Sequence, residues 1–221
     1  MSVNLSIRDK YIVQGPLLDY DNNVYTIVVI NGQEWIVENL KTTHYADGSS
    51  IPNLTNAGDW TADVTGAYCW YNNDIGYKTS YGALYNWYAV NNVAELVYFK
   101  RDGVEETGWR IPTRAEYATL ATYEGGYATA GGHLKEAGLA HWLTPNLSAT
   151  NTHGFTALPG GERSSVGVFG FLTANGDLWT STNYDVDEAY SLQCGYNKTE
   201  ATDSLSLMKF GFSVRCVRDL V

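Results

Sequence analysis

Three cysteines, Cys69, Cys194 and Cys216, and four histidines, His44, His133, His141 and His153, are the most reactive side chains in this sequence. Their spacing is uninformative for metal binding. There is no CxxC pair, no Cys/His cluster, and no HxxxH or HxH pattern, so no metal is expected. The histidines are expected at the surface or in loops, with His133 read as a packing residue. Ser, His and Asp all occur, but no Gly-x-Ser-x-Gly elbow holds a serine nucleophile. Cys194 and Cys216 become neighbours if the strands carrying them pair, and Arg215 and Arg218 beside Cys216 would favour a thiolate there. Asp19, Asp21 and Asn23 imitate the start of a calcium loop. The glycine and distal glutamate of such a loop are missing, and the cluster reads as a turn.

The stretch from Asn183 to Thr202 carries a different chemistry. Asn183, Tyr184, Asp185, Asp187, Tyr190, Gln193, Tyr196 and Asn197 combine rigid aromatics with short polar groups, the mixture of an antibody-like binding surface. Aromatic faces stack on sugar C–H groups while Asn and Asp bind hydroxyls, so the expected partner is a carbohydrate or a protein epitope. Asn183, Tyr184 and Asp185 fall in a turn and are expected at the surface. In a strand over 189–196, Tyr190, Leu192, Cys194 and Tyr196 share one face and Ser191, Gln193 and Gly195 the other. The competing reading is that Tyr190 and Tyr196 simply cover the core. No cofactor is implied.

Composition narrows the classes. The 221 residues suffice for one large domain, and 44% hydrophobic content supports a core. Only 17% of residues are charged, while 17 Tyr and 7 Trp suit either binding surfaces or β-sheets. A net charge of −10 without any basic run argues against nucleic acid or an anionic membrane as partner. No apolar run is long enough for a transmembrane helix. The first residues lack the pattern of a secretory signal.

The elements that must position these residues are short. Residues 1–16 read as an arm, and a domain is expected over 17–221. A strand over 24–30, the turn Asn31-Gly32 and a return strand over 33–40 form a hairpin. Residues 41–80 are loop-rich. Leu84, Trp87 and Tyr88 predict a short amphipathic helix over 81–90, followed by an insertion over 91–107 with a turn at 101–103. Thr113 and Glu116 form a capping box for a second helix, with Tyr117, Leu120 and Ala121 on its buried face and Gly125-Gly126 as its stop. Beyond residue 128 short strands are expected at 133–135, 154–158, 168–171, 178–181, 189–196 and 210–217. Two helices amid short strands and long loops indicate an α+β fold.

Several blocks then carry a resemblance. Gly32 to Leu40, Ala67 to Asn73, Tyr81 to Trp87, Gly108 to Thr113, Gly131 to Glu136, Gly154 to Gly161, Trp179 to Thr182 and Gly211 to Arg218 occur in order. Together they resemble the Fibrobacter succinogenes major paralogous domain family across about residues 18–219. That family is similar in pattern to the C-type-lectin-like fold of formylglycine-generating enzymes and of retroelement-diversified variable proteins. The resemblance implies a C-type-lectin-like fold and an exported, cell-surface or phage-borne protein; a recognition module of this kind is expected to expose the 183–198 side chains and to bury Trp35, Trp87, Trp109 and Trp179. The resemblance also places the 183–198 stretch where diversified members vary. A non-catalytic adhesion or receptor-binding module is the expected function. A cysteine-dependent oxidoreductase of the formylglycine-generating type, or a structural particle protein docked by its arm, are the alternatives. Calcium lectin motifs are not matched, since Thr144-Pro145-Asn146 and Trp179-Thr-Ser181 lack the carboxylates. Family members often carry Cys-Pro-x-Gly-Trp where Glu105 begins the block here, so the partner that the resemblance implies for Cys216 is missing. Cys216 is expected as a free, buried thiol.

Overall fold

The computed structural model describes residues 15–220. The expected arm therefore lies almost wholly outside the described residues. The architecture is α+β: several small antiparallel sheets, few helices, and long connecting loops.

Strands β1 (Ile27–Ile30) and β2 (Gln33–Ile36) form the expected hairpin. Asn31 and Gly32 both take positive φ, 49° and 76°, the backbone that a two-residue turn needs to match strand twist. Strand β2 stops at Ile36 instead of running to Leu40. Past it, buried Asn39 donates its amide to the Tyr81 carbonyl (2.9 Å) and Ser213 Oγ (3.1 Å), which pulls the chain out of the ladder.

The helix expected over 81–90 is not formed as one piece. Two four-residue helices, Lys78–Tyr81 and Trp87–Val90, flank a two-residue strand, Leu84–Tyr85. Gly82 breaks the run at φ 73°, where a Cβ would stand 2.8 Å from the Leu40 carbonyl oxygen and 2.9 Å from that of Asn39. Asn86 then caps the second helix by accepting from the Ala89 N–H at 3.1 Å. In the insertion, a ladder pairs Lys100–Arg101 with Val104–Glu105 around Asp102-Gly103, which lie within the turn expected at 101–103.

Helix α1 (Arg114–Tyr123) has the capping box in full, buries Tyr117, Leu120 and Ala121, and ends before Gly125 and Gly126. Helix α2 (Tyr127–Leu134) contradicts the strand expected at 133–135. Its two glycines lower helix propensity, but both are contact points. A Cβ on Gly132 would stand 2.6 Å from the Ser148 carbonyl, and one on Gly131 would overlap the Glu200 carbonyl.

Strands β3 (Asn175–Asn183), β4 (Glu188–Gly195) and β5 (Ala201–Leu207) make a three-stranded sheet, in that order, with the longest strands among the described residues. No sequence signal singled out β5. Residues 154–158 contribute only an isolated bridge, with Thr156 at φ 55°. Residues 168–171 form a ladder at Phe169–Gly170, and of 210–217 only the end is strand, in β6 (Val217–Asp219). Strand β6 pairs with β2, Val217 opposite Trp35, so the first hairpin and the chain's end lie side by side.

Two cores follow. One gathers Trp87, Trp109 and Trp179, and the other gathers Trp35 with Tyr117, Leu120, Leu178 and Leu192 between the β3–β4–β5 sheet and α1 and α2. All four tryptophans expected inside are buried. Three cations are also buried and serve backbone carbonyls of loops and strand ends. Lys135 Nζ donates to Leu147 O (3.0 Å), Gly195 O (2.8 Å) and Lys198 O (2.8 Å). Arg215 bonds Asn39 Oδ1 and the carbonyls of Ile36, Phe155 and Thr156, and Arg163 those of Leu54, Thr55 and Gly167. Among the described residues no helix is long and apolar enough to cross a membrane.

Candidate functional site

The loop joining β3 to β4 is tied by its own acids. Asp185 Oδ1 accepts from the N–H groups of Asp187 and Glu188, both at 2.9 Å, and the Tyr184 N–H reaches Glu188 O at 2.8 Å. Asn183, Tyr184, Asp185 and Asp187 are thereby held exposed at the tip, with Tyr184 at 55% accessibility. This loop's leading carboxylate is spent on the turn.

Tyr190 lies half-buried behind that tip. Tyr184 meets it edge-on at 5.8 Å between ring centroids, and the Arg114 guanidinium sits over the ring at 3.9 Å. Arg114 opens α1, where its N–H bonds Thr182 Oγ1 at 3.1 Å and its Nε bonds Asp203 Oδ2 at 2.7 Å. The β4–β5 register explains the grouping: Leu192 faces Asp203 and Tyr190 faces Leu205. Further along the same sheet face Leu192, Cys194 and Ala201 are covered by the helices. The helix cover stops at Arg114, leaving Tyr190 half-covered and Leu205 exposed. An open groove of about 580 Å³, lined by Arg114, Ala118, Tyr127, Thr182 and Asp203, borders this cluster. A second of about 310 Å³ shares Thr113 and is lined by Asn91, Glu95, Trp109 and Ser181.

The remaining expected site residues lie at the other end of β4. Gln193 turns to the opposite face and donates to buried Asp177 Oδ1 at 2.8 Å. Tyr196 follows the strand's end and packs on the core between α2 and the sheet, and Asn197 is exposed beside it. Six residues of extended chain separate Tyr190 from Tyr196 by about 20 Å. The structure thus unites Asn183, Tyr184, Asp185, Asp187 and Tyr190, and sets Gln193, Tyr196 and Asn197 apart from them. Arg114, Tyr127 and Asp203 join the first group unannounced by sequence. Only the capping box, which fixes Arg114 at the first helical position, hinted at any of them.

The thiols have the opposite environment from a reactive site. Cys69, Cys194 and Cys216 are free and buried. Burial pushes Cys69 and Cys194 up to about 12 and raises Cys216 as well, and Arg163 at Cys69, Lys135 and Arg215 at Cys194 and Arg215 at Cys216 only partly oppose it. Thiolate chemistry therefore loses the support that flanking arginines gave it in the sequence. Of the lectin-like residues, Asn146 is buried and donates to the carbonyls of Glu136 and Gly138, and Trp179 is buried with its indole N–H on Tyr85 O. The Asp19–Asn23 cluster is a turn in which Asp19 accepts from Asn23 and from Tyr25 Oη.

The sequence pattern that defines the Fibrobacter succinogenes major domain matches residues 28–218. The chain belongs to that family. It matches no curated protein and no solved structure. The domain's matched span runs from β1 to β6 and takes in the Tyr184–Tyr190 cluster, Arg114 and Asp203.

Proposed function

We propose that this Fibrobacter succinogenes major domain is a non-catalytic recognition module of C-type-lectin-like fold, borne on a cell or particle surface. It engages a carbohydrate or protein epitope through the Tyr184–Tyr190 surface. The observation that carries the reading is the exposed Tyr184 ring, braced against Tyr190, which Arg114 and Asp203 fix from below. An aromatic held this way offers contact area with little ordering cost on binding. The polar tip and the bordering grooves supply hydrogen-bonding groups around it. Small antiparallel sheets with long loops support the lectin-like reading of the fold.

The test is binding of the purified chain to a glycan array and to gut-bacterial surfaces, beside Tyr184→Ala and Tyr196→Ala. Tyr184→Ala is expected to leave the melting temperature unchanged and to weaken binding by about 1–2 kcal/mol, as truncation of an interface aromatic does. Tyr196→Ala is expected to lower stability and spare affinity. Binding that survives Tyr184→Ala undiminished would refute the assignment.

A further inference from the structure

Strand β5 is the outer strand of its sheet. The opposite edge, β3, is closed by bridges from Gly161 to Gly176 and from Ser213 to Leu178. Among the described residues no strand or bridge meets β5 on its outer side. Its register with β4 pairs Leu207 with Glu188, and one step further the Met208 N–H donates to the Asp187 carbonyl at 2.8 Å. Hydrogen-bonded pairs alternate with unbonded ones along an antiparallel ladder. Thr202, Ser204 and Ser206 therefore turn their backbone groups to β4, and Asp203, Leu205 and Leu207 turn theirs outward. Among the described residues no partner meets the N–H or carbonyl of Asp203 or Leu205, or the N–H of Leu207. The Leu207 carbonyl accepts from the Phe210 N–H at 2.9 Å. The open span has firm ends. Ala201 is buried with α2 against it, where a Cβ on Gly131 would stand 2.8 Å from the Ala201 nitrogen, and past Leu207 the chain turns. Leu205 is the midpoint of that span. The strand has no Pro, no Lys and no bulge, the devices that commonly guard an edge. Leu205 and Leu207 are 43% and 42% exposed.

We propose that β5 pairs antiparallel with the β5 of a second copy of this chain, about a two-fold axis at Leu205. Leu205 then lies opposite Leu205 of the partner subunit, and Asp203 opposite Leu207 of the partner subunit, each pair exchanging both N–H···O=C bonds. Every outward group of the span gains a partner, the Leu207 carbonyl through its second lone pair. An axis at Ser204 instead sets Leu207 opposite the partner's Ala201, where α2 stands. An axis at Ser206 sets Asp203 opposite the partner's Lys209, which lies beyond the strand. The side chains agree with the Leu205 register. On the face shared with Tyr190 the two Leu205 side chains meet, and on the other face Ser204 meets the partner's Ser206. The net charge of −10 opposes contact between copies, but the one charged side chain of β5, Asp203, is held on Arg114 Nε at 2.7 Å. A second copy fits the edge better than a free peptide does, because its strand is already ordered, whereas a peptide must order its backbone on docking. The pairing is independent of what the Tyr184–Tyr190 surface binds, and it would set two such surfaces on one face of the joined sheet.

The experiment is sedimentation velocity and amide hydrogen exchange of the full chain across a dilution series. A monomer–dimer equilibrium is expected, in which the amides of Asp203, Leu205 and Leu207 gain protection with concentration. Those of Thr202, Ser204 and Ser206, bonded to β4, should stay protected throughout. Leu205→Pro removes an N–H that β4 does not use, at an edge position of the kind that accepts proline. It should raise the dimer dissociation constant at least about tenfold, since the bonds at the axis are lost. Should that variant fail to fold, Leu205→Lys decides. It keeps the backbone and sets like charges opposite one another at the axis, so it should weaken the dimer and leave the melting temperature of the monomer unchanged. A chain that is monomeric at every concentration, a dimer whose outward amides exchange as fast as the monomer's, or a dimer undiminished by Leu205→Lys would overturn the proposal.

Discussion

Asp177 is a carboxylate with one oxygen on Gln193 and the other without a partner, sealed between β3, β4 and the chain near Ser213. Burial pushes it up to about 7, against the Gln193 hydrogen bond, with Glu162 adding to the rise. An acid raised on folding binds its proton more tightly in the native state. Stability should therefore fall as pH climbs from about 4 to about 7, with the full penalty present above that window. Asp177→Asn removes the charge and keeps the shape. At pH 8 it should be more stable than the parent by an amount on the order of 2–4 kcal/mol, and near pH 4 the two should converge. Urea melts at the two pH values measure this. An equal difference at both would mean that Asp177 does not titrate in the window.

Among the elements, α2 is the one whose sequence conflicts with its state. Replacing an exposed helical glycine by alanine gains up to about 1 kcal/mol. Gly131→Ala should instead cost about 1–3 kcal/mol, because its methyl has no room beside the Glu200 carbonyl, just before β5. A shift of the urea midpoint to lower concentration checks it. Strand β5 was illegible for a related reason. Its Ala, Asp and Ser residues have little strand signature, and it exists because β4 offers a seven-residue ladder from Ala201 to Leu207. The same ladder sets Asp203 within reach of Arg114. The expected list of site residues could not include either.

At the scale of the molecule, loops are held to the sheet by buried cations. Lys135 gathers the carbonyls of Leu147, Gly195 and Lys198, and so fastens the 143–151 loop to the turn between β4 and β5. Lys135→Met keeps the apolar stem and strips those carbonyls of their donor. It should cost at least about 2 kcal/mol. Hydrogen exchange should rise most at Leu147, whose N–H bonds Tyr196 O, and at Tyr196, whose N–H bonds Ala174 O. Protection unchanged at both would show that the loop is held by other contacts.

The α+β class, the family, the Asn31-Gly32 hairpin, the capped start and glycine stop of α1, the four buried tryptophans and the exposed tip around Tyr184 were all legible in the order of residues. Each depends on residues within a few positions of one another, or on side chains that enter a core wherever it forms. Tertiary structure alone decided the break at Gly82, helix α2, strand β5, and the separation of Tyr190 from Tyr196. It also decided the meeting of Arg114 with Asp203 and of Glu124 with His133 and His153. These rest on strand register and on how helices cross the sheet, which are set by packing between distant segments and leave no local periodicity to read.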